Sequence, residues 1–113
     1  MRRDYRLYLE DIIDAAEAVR EYVAGMGKSE LARDRRTSDA VVRNLEVIGE
    51  AVKKLPAQVK RDHPEVEWKK IAGLRDILIH DYFGIDVDIV WDVLQNKVPV
   101  LVEQVRRILI ESG

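Results

Sequence analysis

Arg75, His80 and Tyr82 lie within eight residues of one another in the stretch KIAGLRDILIHDYFG, Lys70–Gly84. The three side-chain types are complementary. An arginine holds phosphate oxygens through paired N–H donors and stabilises charge that grows on them. A neutral imidazole, whose ordinary pKa is about 6.5, takes a proton from a hydroxyl. A phenol donates a hydrogen bond to phosphate or stacks on a base. Such a set suits a phosphodiester with a hydroxyl beside it, as in RNA, and the chemistry is coherent without a metal. The plainer reading is that Arg75 and Asp76 are helix-surface ions and His80 is a hydrogen-bonded end residue. The other histidine, His63, sits in KRDHPE and reads as an exposed connector residue.

At about 100° per residue, Arg75 and Tyr82 fall on one face of a continuous helix, while His80 lies roughly 140° from Arg75. Gly84 allows that helix to end just beyond Tyr82. A straight helix therefore does not aim all three groups at one point. Either the long Arg75 side chain reaches around, or a symmetric dimer completes the convergence, each copy bringing one motif to a shared cleft. The second His80 would then supply the acid that one histidine cannot comfortably provide while acting as base. Asp81 faces solvent or orients a neighbouring basic group.

The elements that must position this stretch are helices. Leu9, Ile12, Ile13, Ala16, Val19 and Val23 recur at helical spacing and predict a helix over Asp4–Val23, stopped by Gly25 and Gly27. Tyr5, Tyr8 and Tyr22 are expected at its stripe edge, ring packed and hydroxyl at the surface. A short turn from Lys28 or Ser29 precedes the run Arg33–Asp34–Arg35–Arg36, which is either a solvated connector or a phosphate-contacting rim. Thr37, Ser38 and Asp39 offer caps for a helix carrying Val41, Val42, Leu45, Ile48, Ala51, Val52 and Leu55. Gly49 costs that helix about 1 kcal/mol against alanine, which fits if another helix approaches closely there. Asn44 sits on the flank of the stripe, where it either ties one helix to another or faces the motif. Glu46 and Glu50, one turn apart, are a weak pointer to metal and a stronger one to an ordinary polar face.

Pro56 should restart the chain as a new segment, and His63–Pro64 should end it. A further helix runs through Trp68, Ile71 and Ala72, with Gly73 allowing a bend into the motif. Asp86 caps a helix carrying Ile89, Val90, Val93 and Leu94, and Pro99 suits the first turn of a last helix over Val98–Ile110. No stretch alternates like a strand. The predicted fold class is all-α: an antiparallel four-helix bundle with short additional helical segments, forming one domain over residues 1–113.

The 113 residues suit a single core, with 47% apolar and 35% charged residues, a globular composition that leaves apolar surface for association of two copies. A net charge of -2 gives no global attraction to nucleic acid, so positive potential must be local, with Arg33, Arg35, Arg36 and Arg75 as the candidates. The absence of cysteine excludes disulfides and thiolate chemistry. No continuous apolar core of a signal segment and no membrane-length apolar run is seen, so a soluble, cytoplasmic protein is expected.

The RxxxxHxY spacing at Arg75–Tyr82 resembles the signature of the HepT-like toxins in the HEPN group of small helical nucleases. NLEVIGEA at Asn44–Ala51, the run from Trp68 to Gly73, and DVDIVWDVLQNKVPVL at Asp86–Leu101 resemble the same family, so the likeness covers nearly the whole chain. The resemblance implies a metal-independent endoribonuclease toxin that uses no cofactor, with Arg75 and His80 catalytic. It places Asn44 in the cleft near the motif, and it implies homodimers whose motifs face one another. It also implies a minimal nucleotidyltransferase antitoxin as partner, which uses ATP to transfer AMP to Tyr82 and so block the toxin. Arg33, Arg36 and Asp81 are further cleft candidates. The competing expectation is a non-catalytic helical module that binds nucleotide or the nucleotidyltransferase itself.

Overall fold

The computed structural model describes residues 4–80 and 84–112. Asp4 begins the first helix by accepting the Arg6 N–H at 3.0 Å, and α1 runs Tyr5–Tyr22. The chain leaves it through Gly25, whose φ of 80° is in the left-handed region that glycine tolerates best. Helix α2 follows at Lys28–Arg33. Helix α3, Arg35–Lys54, starts ahead of all three expected caps. Asp34 takes the capping role instead of Thr37, Ser38 or Asp39: its carboxylate accepts the Thr37 N–H at 3.0 Å and the Thr37 hydroxyl at 2.8 Å.

Leu9, Ile12, Ala16 and Val19 of α1 are buried with Val41, Leu45, Ile48 and Val52 of α3. Full burial of each leucine or isoleucine contributes about 1.5–3 kcal/mol, so this stripe-on-stripe contact carries much of the fold. Tyr8 and Asp11, early in α1, lie beside Gly49–Lys54, late in α3, so the two helices run antiparallel. Tyr5 and Tyr8 pack against the core as expected, but Tyr22 is 46% exposed because it falls at the very end of α1.

Pro56 caps α4, Ala57–Asp62, which ends at His63. His63 is half-buried, not exposed: its carbonyl accepts the Trp68 indole N–H at 2.9 Å, and its ring lies 3.5 Å from Glu65. Helix α5 spans Trp68–Ala72, and Gly73 separates it from α6, Leu74–Leu78. The backbone of α5 presses on α3 at one point. A Cβ added to Gly49 would stand 3.1 Å from the Ile71 carbonyl oxygen and 3.5 Å from that of Ala72. Gly49 is the residue that lets α5, and with it the motif, sit close to α3.

After Leu78 the backbone is extended. Strand β1, Ile79–His80, pairs antiparallel with β2, Gly84–Ile85, matching Ile79 to Ile85 and His80 to Gly84. Helix α7, Val87–Asp92, is capped by Asp86, which accepts the Asp88 and Ile89 N–H groups at 3.1 and 3.2 Å. A π-helical turn, Val93–Lys97, leads directly into α8, Val98–Ser112. Two expected helices are thus one long helical run. Pro99 has no N–H, and its ring would collide with the Gln95 carbonyl in a regular turn. The wider turn, in which the Val98 N–H reaches back to the Val93 carbonyl, makes room for it.

The last run is fastened on three sides. Arg106 pairs with Glu17 of α1, Lys97 lies 3.4 Å from Glu67, and Lys28 of α2 lies 2.9 Å from Asp88. The fold class is all-α, the two-residue ladder being the sole strand pairing among the described residues. No helix of the described residues is long and apolar enough to cross a membrane.

Candidate active site

The helical register expected for the motif does not hold. Helix α6 stops at Leu78, whose carbonyl accepts the Asp86 N–H at 3.0 Å instead of continuing a helical ladder. His80 is therefore reached through extended backbone, and the angular argument for a site completed by a second copy loses its premise. The ladder instead brings the His80 backbone to the entrance of α7. Tyr82 and Asp81 lie outside the described residues, as does the His80 side chain.

Arg75 is exposed on α6 and lines an open cavity of about 400 Å³ between α1, α3, α5 and α6. The cavity falls within the roughly 300–1,000 Å³ of small-molecule sites. Its α1 wall is Tyr8 and Asp11, its α5 and α6 wall Ala72 and Arg75, and its floor the polar face of α3. On that face Arg43, Glu46, Glu50 and Lys54 follow at three- and four-residue intervals, with Val47 beside Glu46. Lys53, also on the lining, is engaged with Glu50 at 3.4 Å. Arg43, Lys54, Arg75 and the half-buried Glu46 form no ion pair among the described residues.

The other candidates are placed elsewhere. Asn44 is half-buried, but its amide donates to the Ala40 carbonyl one turn earlier in α3, at 2.9 Å. Among the described residues it makes no bond to another helix, and it is not on the lining of the Arg75 cavity. Arg33 and Arg36 are exposed around the start of α3. Arg36 is not among the residues lining the cavity; at about 1.5 Å per residue it stands roughly 10 Å, two turns, along the helix from Arg43, which is. Arg35 is held loosely by Asp39 at 3.8 Å. Among the described residues no three His, Asp or Glu side chains gather closely enough to hold a metal ion, and Glu46 and Glu50 do not form such a group.

Sequence reasoning missed Tyr8, Arg43 and Lys54 as cavity residues. The signal for the α3 pair is present in the sequence, since positions 43, 47, 50 and 54 keep one face, but the apolar stripe on the same helix is the stronger pattern. Tyr8 carried no such signal. Its place depends on how α1 packs against α3.

The family model of Ribonuclease HepT-like proteins matches residues 12–108. A candidate RNase of Methanocaldococcus jannaschii is 43% identical over 108 residues, covering 96% of this chain and 89% of that protein. The protein named "Probable ribonuclease HepT" of Thermococcus cleftensis is 43% identical over 101 residues, 89% of this chain and 92% of its own. A candidate RNase of Caldanaerobacter subterraneus is 44% identical over 104 residues, 92% and 93% of the two chains. No solved structure matches. Matched from the middle of α1 to four residues before the end of α8, the chain belongs to the HepT-like ribonuclease family.

Proposed function

We propose that this member of a ribonuclease family is a metal-independent endoribonuclease in which Arg75 and His80 carry the chemistry. The observation that supports it is the setting of Arg75: a guanidinium with no ion pair among the described residues, on the wall of an open cavity that also holds Arg43 and Lys54. A guanidinium left unpaired at such a cavity is available to an incoming phosphate.

In the proposed reaction the His80 imidazole takes the proton of the RNA 2′-hydroxyl. The 2′-oxygen attacks the adjacent phosphorus and the bond from phosphorus to the 5′-oxygen breaks. The departing oxygen takes a proton from a second His80 of a homodimer. The products are a 2′,3′-cyclic phosphate and a 5′-hydroxyl. Arg75 holds the non-bridging oxygens, whose charge grows in the transition state.

The biological reading is a cytoplasmic toxin of a toxin–antitoxin pair, silenced by a cognate nucleotidyltransferase. In that step the Tyr82 phenol oxygen attacks the α-phosphorus of ATP, AMP is joined to the tyrosine and pyrophosphate leaves. The added phosphate puts negative charge where the substrate phosphate must bind, and the nucleotide occupies the cleft.

Purified protein incubated with an RNA pool in a metal chelator is expected to cleave it, leaving 2′,3′-cyclic phosphate ends. His80→Ala should keep the helical circular-dichroism spectrum and lose cleavage. Equal cleavage by both proteins, or 3′-hydroxyl ends, would overturn the assignment.

A further inference from the structure

The cavity beside Arg75 has a feature that phosphate binding leaves unexplained. Glu46 stands half-buried on its wall without a hydrogen bond or ion pair among the described residues, and Glu50 follows one turn later. Two carboxylates at this spacing repel, and among the described residues only Glu50 is ion-paired, with Lys53, while Arg43 one turn before Glu46 is not engaged with it. A surface built for phosphate alone gains nothing from Glu46, which opposes the anion that Arg43, Lys54 and Arg75 attract.

Resting on the ribonuclease reading above, we propose that this cavity is the base subsite of the enzyme, and that Glu46 selects guanine. Single-stranded RNA presents the Watson–Crick edge of an unstacked base to protein side chains. Guanine offers two adjacent N–H donors on that edge, at N1 and at the 2-amino group. A carboxylate accepts both at once, a charge-assisted bidentate contact. Adenine and cytosine each present one amino donor beside a ring nitrogen acceptor, and uracil sets carbonyl oxygens beside its N–H, so each places a lone pair against the carboxylate. Tyr8, an aromatic residue, lines the α1 wall, and Val47 and Ala72 supply apolar surface between α3 and α5. Base–aromatic stacking there is tolerant of sequence, so it positions the base without choosing it. Choice falls to Glu46, while Arg43 and Lys54 face the phosphates on either side.

Mapping of cut sites in an RNA pool should then show guanosine enriched at one fixed offset from the broken bond. Replacing that guanosine by inosine, which lacks the 2-amino donor, should slow cleavage about 10-fold, and replacing it by adenosine roughly 10- to 100-fold. In Glu46→Gln the preference should fall to within about threefold, with the fold intact by circular dichroism. Arg43→Gln and Lys54→Gln should weaken all RNAs equally and each lower the salt slope of binding by about 1. Cleavage with no base preference would overturn the proposal and leave the ribonuclease reading standing. So would an E46Q variant that cuts every RNA faster, the result expected if the carboxylate merely opposes phosphate. Calorimetry with 3′-GMP and 3′-AMP reads the subsite independently of cleavage. Tighter binding of 3′-GMP that is lost in E46Q supports the subsite even in a protein that cuts nothing, and equal or absent binding of both nucleotides overturns it.

Discussion

Gly49→Ala should destabilise the protein although it improves a helix. Alanine is favoured over glycine in a helix interior by about 1 kcal/mol. Against that gain stands the approach of α5: the new methyl would lie 3.1 Å from the Ile71 carbonyl oxygen and 3.5 Å from that of Ala72. The first distance requires a shift of a few tenths of an ångström, and the atom in the way is backbone. Overpacking of this kind costs typically about 1–3 kcal/mol, so the net expectation is a loss of about 1 kcal/mol. For a chain of this size that lowers Tm by roughly 4 °C. Gly73→Ala is the matched control. Its φ is −93° and its added Cβ meets nothing nearer than the Lys69 carbonyl at 3.6 Å. There the loss of unfolded-state freedom should stabilise by about 0.4–1 kcal/mol. Thermal unfolding followed by circular dichroism compares the two. A Tm raised as much by Gly49→Ala as by Gly73→Ala would refute the claim that α5 is held against α3 at this point.

Acid unfolding should report the cap of α3. The Asp34 carboxyl is held below its ordinary value first by the Thr37 N–H and then by the Thr37 hydroxyl, so its contribution is present above the unfolded pKa of about 3.9 and is lost as pH falls through the lower folded value. The urea midpoint of Asp34→Asn, measured from about pH 5 to about pH 2, should fall less steeply than that of the wild type, and equal slopes would refute the assignment. For regulation, incubation with the cognate nucleotidyltransferase and ATP should raise the mass of the protein by AMP units and stop cleavage. Tyr82→Phe should gain no mass, and an equal gain in that variant would remove the tyrosine from the mechanism.

The helices were legible because each carries its own period. The stripes through Leu9–Val19 and Val41–Val52 need only local spacing to be seen, and their burial bears them out. The role of Gly49 was legible for a related reason: a glycine inside a strong apolar stripe asks for a close neighbour, and the Ile71 and Ala72 carbonyls supply it. Boundaries were harder. The run Asp34–Asp39 contains several side chains able to cap, and choosing Asp34 depends on which one the backbone presents to the Thr37 N–H.

The motif itself shows where local reasoning stops. Ile77, Leu78 and Ile79 continue the apolar run before His80, and nothing in that run marks a change from helix to extended chain. The change comes from a pairing with Gly84–Ile85, and two residues on each side are too few to show a period of two. A seven-residue spacing that places Arg75 and Tyr82 on one helical face therefore has no force here, because α6 ends at Leu78. The cavity was hidden for the same reason, since its walls come from positions as far apart as Tyr8 and Arg75. What is carried locally is the polar face of α3, where arginine, glutamate and lysine recur in one register beside the motif. That Glu46 forms no ion pair among the described residues, in a register that also carries Arg43 and Lys54, is the physical reason to expect a ligand group with donors as well as a phosphate.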